Sequence, residues 1–344
     1  MTPQQKIEEY MRTLGLMTVG FCNAEPMVDY ALFISNEHKN QSIYFDIGYN
    51  KSMEDTSWYT PRIHLPEAKS IITLLLPYHM KLHKGEPKPA LAISKAALFK
   101  DYHLTMNEYL DQLKDFISAT YNKKSIGYSD TGPLNDKAVL LQTGTVSILR
   151  NSLLFHKDYG SRFYIGYLIT ELDIDTESDI EPESDIALGS DIELESETRP
   201  DNDLIVTNQF NKVKFDKWLH PYCEKCGKCQ YACPNGAIEK RGHLTSEKCI
   251  SYLTQSKKWE LNEETNLSGY IYGCDICQLV CPLNGGDLSA KYDYEPIIGE
   301  EVKLSEIEVL TNREFKSIYG PSSAGWIGKK RFIRNIKQNH KMIE

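Results

Sequence analysis

The sequence has 344 residues, of which 41% are hydrophobic and 25% are charged, and these proportions are typical of a globular protein with two or three domains. The longest apolar run, around residues 71–76, is far shorter than the roughly 20 residues that cross a bilayer. The first residues, MTPQQKIEEYMRTLG, contain no apolar signal-peptide core. We therefore predict a cytoplasmic protein with no membrane span.

The net charge of −9 is distributed unevenly along the chain. Residues 171–203 contain 14 acidic residues and one arginine, so this stretch carries −13 and the rest of the chain about +4. Six basic residues gather near the C-terminus: Lys329, Lys330, Arg331, Arg334, Lys337 and Lys341. The acidic total therefore does not exclude a polyanionic partner.

Residues 1–170 are predicted to form an α/β domain that begins with a helix capped by Thr2 and Gln5. The β-rich runs MTVGF, SIYFDI and SIITLLLPY follow, and the last is nearly all apolar, which is typical of a buried central strand. Helices are predicted over residues 101–120, with Asp101 as the cap, and over 134–149, before the strand-like RFYIGYLITEL. This alternation favours a layered fold of the α+β or α/β class.

The acidic stretch 171–203 contains Asp-Ile pairs every six residues and no aromatic residue. A β-helical or calcium-binding repeat would need more copies and glycine turns, so we interpret the stretch as a solvated linker or insert. Residues 204–300 then form a second domain, which holds most of the cysteines. Residues 301–344 are predicted to be a short helical C-terminal segment, with helices over 311–319 and 329–338.

Eight of the nine cysteines lie between Cys223 and Cys281, and such crowding in a chain without an export signal indicates metal ligation. The first group has the spacing C-x2-C-x2-C-x3-C-P, which binds iron-sulfur clusters in bacterial ferredoxins. In two-cluster ferredoxins the fourth cysteine of this run ligates the other cluster. The second group, C-x2-C-x3-C-P, lacks one cysteine, and Cys249 is the candidate that completes it.

Two 4Fe-4S clusters in a ferredoxin-like domain, each with four thiolates, account for all eight cysteines. The first set is Cys223, Cys226, Cys229 and Cys281. The second set is Cys233, Cys249, Cys274 and Cys277. Structural zinc sites also use C-x2-C pairs, but the two Cys-Pro endings and the triple spacing favour the clusters. The ninth cysteine, Cys22, is predicted to be a buried, unreactive thiol.

No nucleotide motif accompanies the clusters, since the chain has neither a G-x-G-x-x-G after a strand nor a G-x-x-x-x-G-K loop. A separate cofactor is the natural inference. HLTSEKCISYLTQSKK at 243–258 and SGYIYGCDICQLVCPLN at 268–284 resemble the epoxyqueuosine reductase family. Shorter pieces extend the resemblance over most of the chain: LPEAKSIITLLLPY, KDYH, DTGP, YGSRFYIGYLIT and RFIRN.

The resemblance implies a cytoplasmic oxidoreductase that reduces epoxyqueuosine to queuosine in a tRNA anticodon loop. It implies a cobalamin between the α/β domain and the ferredoxin-like domain, with the clusters supplying its electrons. An external donor such as a flavodoxin or ferredoxin would reduce the clusters, and a monomer is expected.

The resemblance also assigns the role of proton donor to Asp130, in the D-T-x-P motif. Removing the epoxide oxygen consumes two electrons and two protons, so the departing oxygen needs an acid. A free aspartate titrates near ~3.9, so Asp130 would hold its proton at neutral pH only where burial against the corrin raises its pKa. The alternative for Asp130 is a helix cap before Leu134, and His103 is equally interpretable as a capping or core histidine.

Further contacts come from the resemblance alone. Those with cobalamin are Leu154, Ile165 and Ser251, of which the first two are also good core residues. Those with RNA are Lys257, Lys258 and Trp259, which suit phosphate contact and base stacking. The alternative for the RNA set is a solvated lysine pair beside a packed tryptophan.

The chain departs from the family pattern in two places. The family has G-W/F-I-G-K where residues 146–150 read VSILR, and R-Y-A-x-G where residues 95–99 read KAALF. Because the first change loses two glycines, the backbone there cannot approach a ligand as closely. Two alternatives therefore stay open: an electron-transfer protein without its own substrate, and a cobalamin-dependent reductase of a small molecule.

Overall fold

The structure is a computed structural model that describes residues 1–16, 18–30, 56–78, 91–175, 218–240, 243–257, 261–262, 265–285 and 295–341. Three predicted features lie outside these residues: the run SIYFDI, most of the acidic stretch, and the pair Lys258 and Trp259. Within the described ranges, no helix combines the length and the apolar character that a membrane crossing requires.

Helices occur throughout the described chain. The α-helices are Pro3–Thr13, Tyr102–Tyr121, Asp136–Gln142, Lys228–Ala232, Ile250–Gln255, Ile276–Leu279, Leu304–Val309, Asn312–Tyr319 and Gly328–Lys341. The 3-10 helices are Thr56–Tyr59, Pro61–Ile63, Lys95–Ala97, Pro221–Glu224, Ser246–Lys248, Pro282–Asn284 and Ser323–Ile327. The strands are Thr18–Asn23, Ser70–Pro77, Ala92–Ile93, Ser125–Ser129, Ser147–Ile148, Leu154–Phe155, Phe163–Thr170, Ile238–Lys240, His243–Leu244 and Tyr270–Tyr272.

A four-stranded sheet forms the centre of the N-terminal part. Its strands lie in the order Thr18–Asn23, Ser70–Pro77, Phe163–Thr170 and Ser125–Ser129, and each neighbouring pair is antiparallel. All eight residues of Ser70–Pro77 are buried, as its apolar run predicts. Ile71 of this strand faces one hydrophobic cluster and Ile72 faces another, so helices and loops cover both sides of the sheet. The predicted mixture of helix and sheet is confirmed.

The caps predicted for two helices are also confirmed. Thr2 and Gln5 form a capping box before the first helix, and Asp101 caps the helix Tyr102–Tyr121 through the backbone N–H of His103. Both patterns depend on hydrogen bonds within a few residues, which is why the sequence predicts them well.

The helix predicted over residues 134–149 is much shorter. It begins at Asp136, with Asn135 as its cap, and ends at Gln142. Gly144 follows in the left-handed conformation, with φ +69°, and the chain then enters the strand Ser147–Ile148. The interpretation of Asp130 as a helix cap is therefore wrong.

The cysteine-rich part shares a core with residues from both ends of the chain. Ala92–Ile93 pairs in parallel with Tyr270–Tyr272, and side chains of both strands pack against the helix Gly328–Lys341. Asn335 of this helix donates to the carbonyl oxygens of Thr254 and Ile271, both at 2.8 Å. The C-terminal helix therefore supports the elements that carry the later cysteines.

The basic residues of this helix are partly structural. Arg334 donates to the carbonyl oxygens of Leu253 and Ser256 at 3.0 and 2.9 Å. Burial, followed by the charge of Arg331, lowers the pKa of Arg334 to about 10. Part of the positive charge predicted to attract a polyanion is thus used inside the fold.

Candidate active site

A small cavity lies between residues 149–151 and the cysteine-rich part of the chain. Four cysteines line it together: Cys223, Cys226, Cys229 and Cys281. These are the four that the spacing assigns to the first cluster, including the distant Cys281. Burial, followed by the neighbouring thiols, raises the pKa of Cys229 to about 11, so cluster binding must displace its proton.

The other four cysteines form a second group. The thiol of Cys274 interacts electrostatically with those of Cys249 and Cys233, and the thiol of Cys277 with those of Cys274 and Cys249. Burial raises the pKa of Cys274 to about 12. In the described ranges, no three His, Cys, Asp or Glu side chains are placed to hold a single metal ion. The donor set is instead two groups of four thiols, which fits two four-iron clusters.

The two groups of thiols are neighbours. The thiol of Cys277 interacts electrostatically with that of Cys229, so the second group adjoins the first. Asn151 is buried and lines the first cavity, and its side chain also hydrogen-bonds to the thiol of Cys277 in the second group. An N–H donor in this position suits a cluster sulfur, which accepts hydrogen bonds.

Arg150 holds the loop that carries the first three cysteines. Its guanidinium donates to the carbonyl oxygens of Cys223 and Cys226, both at 2.6 Å, and its backbone N–H lies 3.4 Å from the Cys223 sulfur. Arg150 belongs to the 146–150 stretch that departs from the family pattern. This altered stretch therefore contacts the cluster loop directly.

A second junction joins the two parts beside Cys281. Asn284 Oδ1 accepts from the backbone N–H of Ser161 at 2.8 Å, and the Asn284 carbonyl accepts from the buried Arg162 at 2.8 Å. Gly160 has φ +61°, and a Cβ there would lie 2.2 Å from Asn284 Oδ1. Only glycine fits this position, because both the conformation and the contact exclude a side chain.

A row of four rings leads away from the second group. The ring centroids of Tyr78 and Tyr164 are 4.9 Å apart, those of Tyr164 and Tyr102 are 4.2 Å apart, and those of Tyr102 and His103 are 4.1 Å apart. Tyr78 donates to Gln278, the residue after Cys277, at 3.2 Å. We call these four rings the aromatic row, and it begins beside the second cysteine group.

The far end of the aromatic row is the predicted proton donor. His103 Nε2 lies 3.6 Å from Asp130 Oδ2, and His103 Nδ1 lies 2.7 Å from Asp101 Oδ1. The hydrogen bond to Asp101, followed by that to Asp130, raises the pKa of His103 to about 9, so the ring is a cation at neutral pH. The Asp130 side chain is 44% exposed, and its φ of +59° is rare for a residue other than glycine.

A second carboxyl group lies near Asp130. The Oδ1 of Asp136 is buried and has no hydrogen-bond partner among the described residues. Burial, followed by the charge of Asp130, raises the pKa of Asp136 well above its usual range. Asp130 therefore has an imidazolium and a carboxyl group of raised pKa as neighbours.

The three predicted cobalamin contacts differ in how deeply they are buried. Leu154 is buried in the core, whereas Ile165 and Ser251 are half-buried. The first three positions of Phe163–Thr170 are half-buried, while the other five are buried. The hydroxyl of Ser129, which precedes Asp130, is buried without a partner in the described structure. An uncovered strand end and an unsatisfied hydroxyl beside Asp130 fit a large bound group.

Of the predicted RNA contacts, Lys257 alone is described. It lines an open pocket with three basic residues of the C-terminal helix: Lys329, Lys330 and Arg331. Trp326 is 45% exposed, and the Arg331 guanidinium lies 4.9 Å from the centre of its ring. The indole N–H of Trp326 donates to the hydroxyl of Tyr272 at 3.0 Å. Burial raises the pKa of Tyr272 to about 12, and the nearby charges of Asp101 and Asp130 act in the same direction. Lys257, Lys329, Lys330 and Arg331 form a basic surface, and Asp130 with His103 forms an acid site. Trp326 and Tyr272 lie between the two.

The sequence interpretation missed most of this arrangement. The pair Asp101 and His103 carries a local signal, because an aspartate cap two residues before a histidine brings their side chains together. Tyr78 and Tyr164 carry none, since Tyr78 directly follows the strand Ser70–Pro77, Tyr164 lies in the neighbouring strand, and the two rings meet only through the register of the sheet. Cys22, as predicted, is buried.

Comparisons with known proteins agree with this site. Residues 222–284 match the family model for a 4Fe-4S double cluster binding domain. Residues 59–131 match the model described as epoxyqueuosine reductase QueG, DUF1730. The second match ends just past Asp130, and the first covers all eight clustered cysteines.

Curated relatives extend the similarity over the whole chain. The epoxyqueuosine reductase of Bacillus cereus is 30% identical over 345 residues, which cover 96% of this chain and 78% of that protein. The epoxyqueuosine reductase of Bacillus subtilis is 29% identical over 346 residues, which cover 96% of this chain and 77% of that protein.

Solved structures show the same fold. An epoxyqueuosine reductase with a tRNA-Tyr epoxyqueuosine-modified tRNA stem loop is 28% identical, with a TM-score of 0.72 over 98% of this chain and 80% of that one. The Bacillus subtilis enzyme with its catalytic aspartate loop swung out of the active site is 27% identical, with a TM-score of 0.71 over 98% and 80% of the two chains. From its sequence, its fold and its paired cysteine groups, this chain belongs to the epoxyqueuosine reductase family.

Proposed function

We propose that this chain is an iron-sulfur, cobalamin-dependent reductase that converts epoxyqueuosine to queuosine in a tRNA anticodon loop. The observation that carries the proposal is the aromatic row, which runs from the second cysteine group to the pair His103 and Asp130. An electron-transfer protein without a substrate of its own has no need for a proton-holding site at the end of this row.

The acid site suits the chemistry of epoxide removal. The reaction takes up two electrons and two protons, and the epoxide oxygen leaves as water. Asp130 is exposed enough to reach a substrate, and it delivers the first proton to the departing oxygen. That proton comes from His103, which is a cation at neutral pH and lies 3.6 Å from Asp130. The buried carboxyl group of Asp136, whose pKa is raised, lies close by.

The cofactors have matching positions in the fold. The first cavity holds one four-iron cluster through its four cysteines, and the second group of thiols holds the other. Ser129, Ile165 and Ser251 contact the cobalamin, and Leu154 supports it from the core. When bound, the cobalamin supplies reducing electrons to the epoxide carbon.

The RNA needs a positively charged surface near Asp130, because its phosphates are negatively charged. Lys257 and the three basic residues of its cavity contact the phosphates, since phosphate contacts position a nucleic acid. Trp326 offers an exposed ring to a base. Lys258 and Trp259 are assigned to the same surface by resemblance.

The proposal also includes the domain bounds, the oligomeric state and the electron donor. The domains are residues 1–170, the acidic insert 171–203, the ferredoxin-like domain 204–300 and the helical segment 301–344. The protein acts as a monomer in the cytoplasm. A flavodoxin or ferredoxin reduces its clusters.

The test begins with protein reconstituted anaerobically with iron, sulfide and cobalamin, then desalted and analysed for metals. We expect about eight irons and one cobalt per chain, followed by conversion of epoxyqueuosine tRNA to queuosine tRNA. Iron without retained cobalt would favour the electron-transfer alternative, and zinc in place of iron would contradict both.

A variant identifies the acid in the same assay. Asp130→Asn should abolish turnover and leave the iron content intact, because the amide cannot supply the proton. Asp111→Asn is the matched control, since Asp111 is an exposed residue paired with Lys114. Retained turnover in Asp130→Asn would remove the assigned role.

A further inference from the structure

An exposed aromatic residue lies on the loop of the first cysteine group. Tyr231, in the helix Lys228–Ala232, is 87% exposed, the largest value for a large hydrophobic residue in the described ranges. Its ring rests on Gly227, where a Cβ would lie 2.6 Å from the Tyr231 ring. Gly227 stands between Cys226 and Cys229, so this ring lies on the cluster-binding loop itself.

The loop that carries this ring also carries positive charge. Lys225 and Lys228 are exposed on the same loop, and Lys228 also lines the four-cysteine cavity. The guanidinium of Arg150, which donates to the carbonyl oxygens of Cys223 and Cys226, adds a further positive charge. In the sequence 221–236, Glu224 is the sole acidic residue, so the loop is positive overall.

The order of contacts places this surface at the entry end of the electron route. The first cysteine group adjoins the second through Cys229 and Cys277, and the second group adjoins the aromatic row that ends at Asp130. An electron that enters at the Tyr231 loop therefore meets the first group before the second. The tRNA base must reach Asp130, at the opposite end of this order.

We propose that Tyr231, Lys225 and Lys228 form the docking surface for an acidic one-electron carrier protein. The proposal rests on the proposed function, because it requires both clusters. Opposite charges steer such a partner to the surface, and an exposed tyrosine is a typical anchor at the centre of a small interface. One electron leaves the carrier and enters the first cluster, so the carrier is oxidised by one electron, the cluster is reduced by one, and no bond changes.

The test compares two reductants on the anaerobically reconstituted full-length protein. The first reductant is reduced flavodoxin, which is an acidic one-electron carrier, and the second is dithionite. Each is mixed with the protein, and the loss of cluster absorbance is followed by stopped flow. The variants are Lys225→Glu with Lys228→Glu, and Tyr231→Ala. Lys123→Glu with Lys124→Glu is the matched control, since it reverses two exposed charges in the turn after the helix Tyr102–Tyr121.

We expect the charge variant to slow reduction by flavodoxin at least about tenfold more than it slows reduction by dithionite. The rate of reduction by flavodoxin should also depend less on salt in this variant. Tyr231→Ala should also slow reduction by flavodoxin selectively. The control pair should change the ratio of the two rates, flavodoxin over dithionite, by less than about twofold. An unchanged ratio in the charge variant would overturn the proposal. Lower affinity for tRNA with an unchanged ratio would also overturn it, and would identify the surface as an RNA contact.

The metal analysis separates this proposal from the proposed function. If the protein binds both clusters, accepts electrons from dithionite and converts epoxyqueuosine tRNA, but the ratio is unchanged, the docking surface alone is wrong. If no epoxyqueuosine tRNA is converted while the ratio falls as expected, the docking surface stands and the assigned substrate fails.

Discussion

The Nε2 atom of His103 lies 3.6 Å from Asp130 Oδ2. The other ring nitrogen contacts Asp101, so the imidazole stands between two carboxyl groups, and its pKa rises to about 9. This arrangement makes the histidine a cation under the conditions in which the enzyme works. Its positive charge also favours the approach of RNA to Asp130.

The first prediction concerns pH. The pKa of His103 is raised above its ordinary value near ~6.5, so its ion pairs are fully formed below that pH and are lost as pH rises through about 9. We expect kcat/KM for epoxyqueuosine tRNA to fall over the same upper range. His103→Gln should lower the rate and remove this fall, and a fall that persists in the variant would assign it to another group.

The second prediction concerns the loop that carries Asp130. A Cβ on Gly132 would lie 2.1 Å from the Tyr167 hydroxyl, and that hydroxyl also accepts from the Leu134 backbone N–H at 2.9 Å. Gly132→Ala must therefore displace the loop, and we expect a loss of turnover of at least about tenfold with normal iron content. Gly299→Ala is the control, because its nearest contact would be 3.8 Å away. Equal activity in the two variants would show that the loop adapts.

The third prediction concerns the C-terminal helix. Asn335→Ala removes the side-chain donor of the buried Ile271 carbonyl oxygen and one of the two donors to the Thr254 carbonyl oxygen, which should lower the free energy of unfolding by about 2 kcal/mol. Because these carbonyls belong to the elements around the second cysteine group, iron should also be lost faster to a chelator. Asn312→Ala, at an exposed position, is the control for both measurements.

The fourth prediction concerns Arg150. Without its hydrogen bonds to the carbonyls of Cys223 and Cys226, the loop around the first cavity should open more readily. Arg150→Ala should therefore release about half of the iron severalfold faster than the unmodified protein in a chelator assay. The control Lys114→Ala breaks an exposed ion pair with Asp111, which contributes less than about 1 kcal/mol. Uniform release from both clusters would contradict a local effect of Arg150.

The error in the predicted helix over residues 134–149 shows where local patterns fail. Apolar residues continue past Gln142, so the spacing favours one long helix. The chain instead turns at Gly144, and Ile148 pairs with Leu154 in a short antiparallel ladder. This turn brings Arg150 and Asn151 to the first cavity. Tertiary contacts with the cysteine loop therefore outweigh the helical pattern.

The sequence by itself determined the features that depend on neighbouring residues. These are the capping box of the first helix and the fully buried strand Ser70–Pro77, and the spacing of the eight cysteines predicts two sets of four. Each depends on hydrogen bonds, burial or ligand spacing repeated over a few residues, and such patterns can be recognised in the amino-acid order.

Only the tertiary structure decided how the site is assembled. The register that sets Leu76 opposite Tyr164 also brings Tyr164 beside Tyr78, and so builds the aromatic row. The contact between Arg150 and the loop of Cys223 joins residues more than 70 positions apart. No local pattern specifies such contacts, because side chains from separate elements meet only when the whole core packs.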